Sequence, residues 1–536
     1  MPLFDANRML GRRSVHAPDV GPAASRAGIT VSGLLVEMDR EGIAEALVYH
    51  AMAVDGHPWE GNQLLLRELA GEPRLHPSWV LLPTTGEMPA PRELVARMQD
   101  AGVRAARICP LRHRFLFNEA NLGDLLAELE AARIPLLLDF GRIRWSEEVT
   151  DWTNLDHLCG RYPDLPFVLL AEGMAAPRRL YPLWSRRRNL YLETSYYQVH
   201  QGLSDAVRRG GSGQVLFGTG APLRASGPAL TQLRYDFLNA EEREQVGGGN
   251  LRRLLAAAHG GSALPAPPAV PSETRVTELP PHPILDLHVH LGTWFSTYVH
   301  NGEADGLVQS MDRLHIQAMA LIAFDSIGPD ARGGNERVAA AMRAHPGRFL
   351  GYCTVDPNVQ PGEMEQELER CFSGVDPTGA PRPRFHAIKF HCDTHGYPAD
   401  GDCYRPALEY ADAHNLCVLI HGRITEPMLR RYPSAQFLSA HVGGWDGRGS
   451  NYAVDYSHHF ANIHLDLAAS TVFYGAFEKL VEAAGADRIV HGSDAPLMDP
   501  AYQLGRVLEA DLSPEDREKI LYSNGARLFH LPGTSR

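Results

Sequence analysis

Two histidines stand two residues apart in the segment ILDLHVHLG, which runs from Ile284 to Gly292 near the middle of the chain. On a β-strand, side chains two residues apart point to the same face, so His288 and His290 can bind one metal ion together. A single His-x-His pair is weak evidence, because most such pairs are structural. The remaining histidines and acids therefore decide whether this pair belongs to a metal site.

Three further polar residues follow apolar runs in the second half of the chain. His421 closes the run LCVLI, His441 closes QFLSA, and Asp494 follows RIVHGS. Each one lies at the C-terminal end of a predicted strand, and barrel enzymes build their active sites at that rim. Three imidazoles and a carboxylate form a suitable ligand set for zinc or another divalent first-row metal, with one position open for water.

The elements that must position these residues are short apolar runs that alternate with amphipathic stretches in both halves. MALIAF, HAIKFH and IHLDL are typical of buried parallel strands, whereas GGNERVAAAMRAHPGRF and YRPALEYADAHN are typical of helices. A Pro-, Gly- and Ala-rich segment from Gly260 to Pro283 has no hydrophobic periodicity, which indicates a linker. It leaves about 250 residues on each side, the usual size of an eight-stranded βα barrel.

The two halves of the chain also align with each other. LFDANRMLG near the N-terminus matches ILDLHVHLG, and QVLFGTGAPL matches RIVHGSDAPL. The offset stays between 270 and 281 residues for Asp5 with Asp286, Arg142 with Arg423, Gly173 with Gly443, Gly218 with Gly492, and Asn250 with Asn524. Because apolar strands alone would not share these Gly, Arg and Pro positions, we predict an α/β fold of two tandem (β/α)8 TIM-type barrels. The expected domains are residues 1–259 and 284–536, with residues 260–283 as the Pro/Gly/Ala-rich linker.

The composition argues against several classes of protein. The chain has 536 residues, of which 44% are hydrophobic and 21% charged, as is usual for soluble globular proteins. A net charge of -13 argues against a nucleic-acid or anionic-membrane partner, and no apolar stretch approaches the ~20 residues that cross a bilayer. Seven cysteines without paired Cys-x-x-Cys spacing fit the reduced thiols of a cytoplasmic protein. The sequence has neither a P-loop nor a Gly-x-Ser-x-Gly elbow, which argues against nucleotide-dependent and serine-hydrolase chemistry.

The order of motifs in the second half, DLHVHLG, IKFH, LIHGR, SAHVGG and HGSDAP, resembles the amidohydrolase superfamily. More closely, it resembles the amidohydrolase-related branch that includes aminocarboxymuconate-semialdehyde decarboxylase and related aromatic-acid decarboxylases. The resemblance covers nearly all of Ile284 to Leu531 and implies a metal-dependent enzyme with a small-molecule substrate. It also implies one divalent metal ion, for which zinc is expected, although manganese, iron and cobalt suit the same ligands.

Carried over residue by residue, the resemblance implies a role for each residue at the rim. His288, His290 and His421 would be metal ligands, and Asp494 would be a ligand or a proton acceptor. His441 would orient or polarise the water or the substrate. Asp494 and His441 are therefore the expected catalytic residues.

Four more residues are expected to contact the substrate, and a structural role is an alternative for each. Lys389 lies where some relatives hold a bridging carboxylated lysine, but with one metal it is expected to be a substrate-facing cation or a structural residue. His391 follows on the same loop. Arg423 could hold a substrate carboxylate in a bidentate geometry or form a surface salt bridge. Trp445 could wall the pocket or pack in the core.

The first half lacks the metal ligands of the second. The residues that stand at the five principal positions are Asn7, Met9, Phe140, Ala171 and Gly220, in place of His288, His290, His421, His441 and Asp494. Arg107 matches Lys389, and Cys109 matches His391. We therefore predict a degenerate first barrel without metal chemistry. We hypothesise that it acts as a built-in pseudo-partner of the second barrel, in an intramolecular pseudo-dimer, and a homodimer of the whole chain is also possible.

Three functions remain open at this stage. The first is a metal-dependent hydrolase that acts on a small carboxylate, amide, ester or lactone through a metal-activated water. The second is a non-oxidative decarboxylase of a small aromatic or unsaturated carboxylic acid, which would use the same metal, aspartate and histidine. The third is a non-catalytic binding or regulatory protein, although the second half retains every residue that the chemistry needs.

Overall fold

The structure is a computed structural model that describes residues 2–14, 28–144, 146–266, 276–375, 379–444, 451–469 and 472–532. Its strands form two eight-stranded sheets in which each strand pairs with its neighbour in sequence. The chain divides into two compact units, Met1–Glu278 with Thr471–Ala476 and Leu279–Ser470 with Phe477–Arg536. Each sheet is parallel and is surrounded by helices, so the predicted fold of two tandem (β/α)8 barrels is confirmed.

The first barrel consists of β1 (Leu3–Leu10), β2 (Ile43–His50), β3 (Leu75–Val80), β4 (Ala105–Ile108), β5 (Leu136–Leu138), β6 (Phe167–Leu169), β7 (Leu190–Glu193) and β8 (Val215–Leu216). Its α-helices are Val31–Glu41, Ala51–Asp55, Pro58–Glu68, Pro91–Asp100, Pro110–His113, Glu119–Ala131, Trp152–Arg161, Pro177–Trp184, Gly202–Gly210, Gly227–Tyr235, Ala240–Glu244 and Asn250–Ala257. Short helical turns are Ser212–Gln214, Gln245–Gly249 and Ala258–Gly260. A hydrogen bond of 2.9 Å from the Ala6 amide to the Phe217 carbonyl joins β1 to the end of β8.

The second barrel consists of β9 (Ile284–Leu291), β10 (Ile316–Ala323), β11 (Phe349–Thr354), β12 (Ala387–His391), β13 (Cys417–His421), β14 (Gln436–Ser439), β15 (Ile463–Asp466) and β16 (Ile489–Val490). Its α-helices are Ala304–Leu314, Phe324–Ile327, Ala331–Ala344, Glu363–Phe372, Cys392–His395, Arg405–His414, Glu426–Arg431, Tyr452–Ser457, Ala476–Ala484, Pro500–Glu509, Pro514–Glu518 and Asn524–Leu528. Short helical turns are Asp402–Tyr404, Ala440–Gly444, Ala486–Arg488 and Lys519–Ser523. The Leu287 amide donates to the His491 carbonyl at 2.9 Å, which joins β9 to the end of β16. None of the helices that the structure describes is long and apolar enough to span a bilayer.

The alternation of side chains along β9 decides where the two histidines point. Leu285 and Leu287 belong to the apolar core together with Ala526 and Leu528 of the last helix. Successive side chains of a strand point to opposite faces, so the buried polar residues Asp286, His288 and His290 share the other face of β9. The apolar residues of the strand hold it against the last helix and aim its histidines into the barrel.

In both barrels, a buried asparagine of the last helix forms a hydrogen bond to the last strand. Asn250 donates from Nδ2 to the carbonyl of Val215 at 2.8 Å, and Asn524 donates from Nδ2 to the carbonyl of Ile489 at 2.8 Å. Cis peptide bonds also recur at matching places, before Pro222 and before Pro496. These equivalences fit the internal duplication that the sequence indicates.

The C-terminal part of the predicted linker lies against the first barrel. Thr277 is buried, its hydroxyl accepts a hydrogen bond from Nη1 of Arg234 at 2.8 Å, and its carbonyl accepts one from the Tyr235 hydroxyl at 2.9 Å. The first compact unit accordingly extends to Glu278.

Candidate metal centre

Two histidines of β9 meet an aspartate that follows β16. Nε2 of His290 lies 3.0 Å from Oδ1 of Asp494, and Nε2 of His288 lies 3.7 Å from the same oxygen. All three side chains are almost fully buried. The loop after β16 turns sharply at Asp494, whose φ of 61° is a left-handed conformation that aspartate tolerates better than most residues. The structure thus brings together three of the four metal ligands that the sequence predicts.

Asp466, the last residue of β15, orients the first histidine. Its Oδ2 lies 2.7 Å from Nδ1 of His288 and also accepts the backbone amide of His441 at 3.2 Å. Because a carboxylate accepts, Nδ1 of His288 carries the proton and its Nε2 presents a lone pair. Burial raises the pKa of Asp466 above its ordinary value, whereas a nearby divalent cation would favour its charged form.

Sequence reasoning missed Asp466, although a signal for it was present. The residue closes the apolar run of β15 just as His421 closes that of β13. The segment IHLDL by itself predicts only a strand. A carboxylate behind a ligating histidine fixes its tautomer and raises its basicity. Asp466 therefore belongs to the site as a positioning residue.

His441 presents one free ring nitrogen near the ligands. Its Nδ1 donates to the carbonyl of Ala468 at 2.7 Å, and its ring centroid lies 5.1 Å from that of His288. The backbone at His441 is left-handed, with φ 55°, where the chain leaves β14. Only Nε2 of His441 is left to act on a water or a substrate.

His421 lies next to His441 and contacts a second imidazole. Its ring centroid is 5.0 Å from that of His441, and its Nδ1 is 3.4 Å from Nδ1 of His391. Asp393 lies near the same nitrogen, at 3.8 Å. The structure places His421 and His391 beside the centre, but His421 is not in the group of His288, His290 and Asp494 whose ligand atoms lie within 4.8 Å of one another.

The electrostatics of the centre keep its imidazoles neutral. Burial, followed by the nearby Lys389 and neighbouring histidines, lowers the pKa of His288 well below its ordinary value. Burial also lowers the pKa of His290 and His421. Burial alone would raise the pKa of Asp494, but the hydrogen bond that it accepts from His290 and the electrostatic effect of the neighbouring imidazoles bring it below its ordinary value. Neutral imidazoles and an ionised carboxylate are the protonation states that bind a metal.

Lys389 is a fully buried cation beside these groups. It is the third residue of β12, and its Nζ has no hydrogen-bond partner in the part of the chain that the structure describes. Burial lowers its pKa to about 8, while the charges of Asp494 and Asp466 oppose that shift. A buried ammonium without a hydrogen bond is costly, which favours a ligand or a negative group in contact with it.

Two other predicted substrate contacts lie apart from the centre or outside the described residues. Arg423 is exposed, and its guanidinium carbon lies 4.9 Å from the centroid of the Tyr452 ring. The structure shows no carboxylate partner for it among the described residues. Trp445 lies outside the residues that the structure describes.

Two observations show that the side chains present fit a divalent metal ion. Two imidazole nitrogens and one carboxylate oxygen converge from β9 and the loop after β16, all buried. The orienting hydrogen bond to Asp466 is already made. Three protein ligands that leave a position for water are the usual set of a catalytic zinc site.

Replacing Asp466 with asparagine should weaken metal binding while the ligands themselves stay in place. The amide keeps the size of the side chain but loses the charge that fixes Nδ1–H of His288, so metal affinity should fall about 10- to 100-fold. Competition with a chromogenic chelator measures this directly. Glu193→Gln at the matching end of β7 is the control and should leave the affinity unchanged; an equal loss in both variants would contradict the role of Asp466.

The first barrel carries a different set of residues at the matching rim. Arg107, the third residue of β4, donates from Nη2 to Oδ1 of Asn7 at 2.7 Å and from Nη1 to Oδ2 of Asp139 at 2.8 Å. Its guanidinium carbon lies 3.8 Å from the centroid of the Tyr49 ring. Among the described residues, no group of metal-binding type is found in this barrel. An arginine cation thus contacts Asn7, which stands where the second barrel has a histidine.

Comparisons with known proteins identify one family and several solved structures of low similarity. The family model described as Amidohydrolase matches residues 7–256 and 286–531. No curated protein matches the chain.

An uncharacterised TIM-barrel protein of Bordetella bronchiseptica is 19% identical, with a TM-score of 0.38, over 48% of this chain and 99% of its own. A dihydroxybenzoic acid decarboxylase of Polaromonas sp. JS666, solved with manganese and 2-nitroresorcinol, is 16% identical, with a TM-score of 0.37, over 47% of this chain and 96% of its own. A 4-oxalomesaconate hydratase of Rhodopseudomonas palustris is 14% identical, with a TM-score of 0.34, over 46% and 95%.

Proposed function

Because the chain belongs to the amidohydrolase family of enzymes, we propose that its second barrel is a metal-dependent hydrolase of small carboxylate, amide, ester or lactone substrates. One observation carries the proposal: the Nε2 atoms of His288 and His290 both face Oδ1 of Asp494, at 3.7 and 3.0 Å. His421 would complete the ligand set on the other side of the centre. Zinc is the expected ion, and a single ion is enough for the reaction.

When held by the histidines and Asp494, a divalent ion would lower the pKa of a nearby water to about 7 and so supply hydroxide at neutral pH. Asp494 accepts the proton of that water and passes it to the leaving group. His441 hydrogen-bonds through Nε2 to the substrate oxygen that gains negative charge, because its Nδ1 is held by the carbonyl of Ala468.

Substrate recognition would fall to the cations and the imidazole that surround the centre. Lys389 offers an ammonium group without a hydrogen bond inside the barrel, which suits a negative group of the substrate. His391, whose Nδ1 lies 3.4 Å from Nδ1 of His421, would contact the substrate beside that histidine. Arg423 and Trp445 are proposed as outer contacts that reach the substrate from the loops after β13 and β14.

Non-oxidative decarboxylation of a small aromatic or unsaturated carboxylic acid is the second candidate, and Lys389 is the observation that favours it. A buried ammonium next to the ligands can bind the carboxylate that leaves as CO2. Asp494 or His441 would then deliver the proton that replaces the carboxylate on carbon. The same side chains thus support either reaction.

The experiment compares two products from the metal-loaded full chain. A panel of amides, esters, lactones and aromatic acids is incubated with the protein after loading with zinc or manganese, and both a new carboxylate and released CO2 are measured. The hydrolase proposal expects a new carboxylate without CO2, and activity that a chelator removes and the metal restores. CO2 release would replace it with the decarboxylase. Tight metal binding without turnover of any compound would favour a binding protein instead.

A further inference from the structure

Three buried arginines lie on β4 or in the loops after β5 and β8 of the first barrel, and within the described residues two of them pair with carboxylates. Arg107 pairs with Asp139 at 2.8 Å, and Arg142 pairs with Glu172 at 3.1 Å. Arg224 is 7% exposed, and among the described residues it donates one hydrogen bond, from Nη2 to the backbone carbonyl of Arg142 at 2.7 Å. A guanidinium of this kind is always charged, and burial without a counter-charge is costly.

Arg224 has unused donor capacity at a place where the second barrel has an acid. Its Nη1 has no hydrogen-bond partner within the described ranges of the chain, and its guanidinium carbon lies 3.9 Å from the centroid of the Tyr196 ring. Gly220 occupies the position that matches Asp494, with a similar left-handed φ of 68°. A Cβ built on Gly220 would lie 3.3 Å from Cδ of Arg224. The arginine therefore stands beside the vacated position of the aspartate.

The neighbouring acid does not neutralise Arg224. Glu193, which closes β7, accepts hydrogen bonds from the amide and hydroxyl of Ser195 at 2.7 and 2.8 Å and from the amide of Ala171 at 3.1 Å. Burial raises its pKa to about 7, so it carries a full negative charge only above that pH. No ion pair joins it to any of the three arginines in the described residues.

We propose that the first barrel binds a small carboxylate at its rim, held by the guanidinium of Arg224. The loss of the metal ligands left a site whose charge is reversed, from one that holds a cation to one that holds an anion. A carboxylate fits better than a phosphate, because a single charge compensates the one unpaired guanidinium and the planar group matches its fork. Arg107 already has two partners, Asp139 and Asn7, so its charge is compensated without a ligand.

The test measures the thermal midpoint of the full chain as acetate is added, with chloride at equal ionic strength as the reference for screening. A ligand that binds the folded state raises the midpoint in a saturable way. We expect this rise in the wild type and in the metal-free His288→Ala/His290→Ala variant, because the site lies in the first barrel. Arg224→Gln should weaken acetate binding at least tenfold, whereas Arg224→Lys should keep part of it.

A pair of substitutions at Gly220 keeps the proposal testable if Arg224→Gln does not fold. Aspartate and asparagine have the same shape and both tolerate a left-handed backbone. Gly220→Asp places a carboxylate beside Arg224, so without acetate its midpoint should lie above that of Gly220→Asn, which shares the same crowding and backbone strain, and its response to acetate should be abolished. Gly220→Asn should give no rise without acetate. The proposal is overturned if acetate acts no more than chloride on the wild type, if the response needs His288 and His290, or if both Gly220 variants behave alike without acetate.

Discussion

Replacing His288 and His290 together by alanine is expected to remove the bound metal and to abolish turnover by the second barrel. The two side chains supply two of the three converging ligand atoms, and Asp494 alone is too weak a site. Without the ion the pKa of the attacking water rises from about 7 to its much higher value in bulk water, so activity should fall by roughly three orders of magnitude or more. Elemental analysis should find about one divalent metal ion, expected to be zinc, per wild-type chain and none in the variant.

The duplicated barrel provides a matched control for this experiment. Asn7→Ala/Met9→Ala alters the same two strand positions in the first barrel, where the structure shows no group of metal-binding type among the described residues. This variant should keep the full metal content per folded chain. A metal content that falls by the same amount in both double variants would contradict the assignment of the ion to the second barrel. Two ions per chain in the wild type would indicate a second metal site.

The residues at the strand ends could be predicted from the sequence because strand geometry is local. Alternation along β9 places His288 and His290 on one face, and a parallel barrel collects the ends of its strands at one rim. His441 and Asp494 follow from the same reasoning, and the structure places both beside the β9 histidines. The fold could be predicted because the two halves share Gly, Arg and Pro residues at matching positions.

The contacts that depend on packing could not be predicted in this way. Asp466 gave the same signal as His421, but which acid orients which histidine depends on where the closed barrel places β15 relative to β9. Arg423 follows His421 closely in sequence, yet its exposed side chain lies over Tyr452 because loop conformation is not periodic.

In the first barrel the sequence predicted only the loss of the metal ligands. The matching of Arg107 with Lys389 was visible, but its pairing with Asp139 and its contact with Tyr49 depend on how three strands and their loops pack. The unpaired charge of Arg224 has no sequence signal at all, because a composition cannot show which acid faces which base. A barrel whose sequence has lost its metal ligands can thus still carry buried charged side chains at the same rim.

Replacing Asp494 with asparagine is expected to separate catalysis from metal binding. Asparagine keeps the shape and tolerates the φ of 61° at this position, whereas most other residues would strain the turn. The amide cannot accept the proton of the attacking water, so kcat should fall about 10²- to 10⁴-fold at saturating metal, while the histidines still hold an ion. Steady-state kinetics with increasing zinc measures this. Asp330→Asn, which exchanges one good helix cap for another in the same barrel, is the control and should leave kcat unchanged. If excess metal restored wild-type kcat to the Asp494→Asn enzyme, Asp494 would be only a ligand and the proton acceptor would be another group at the rim.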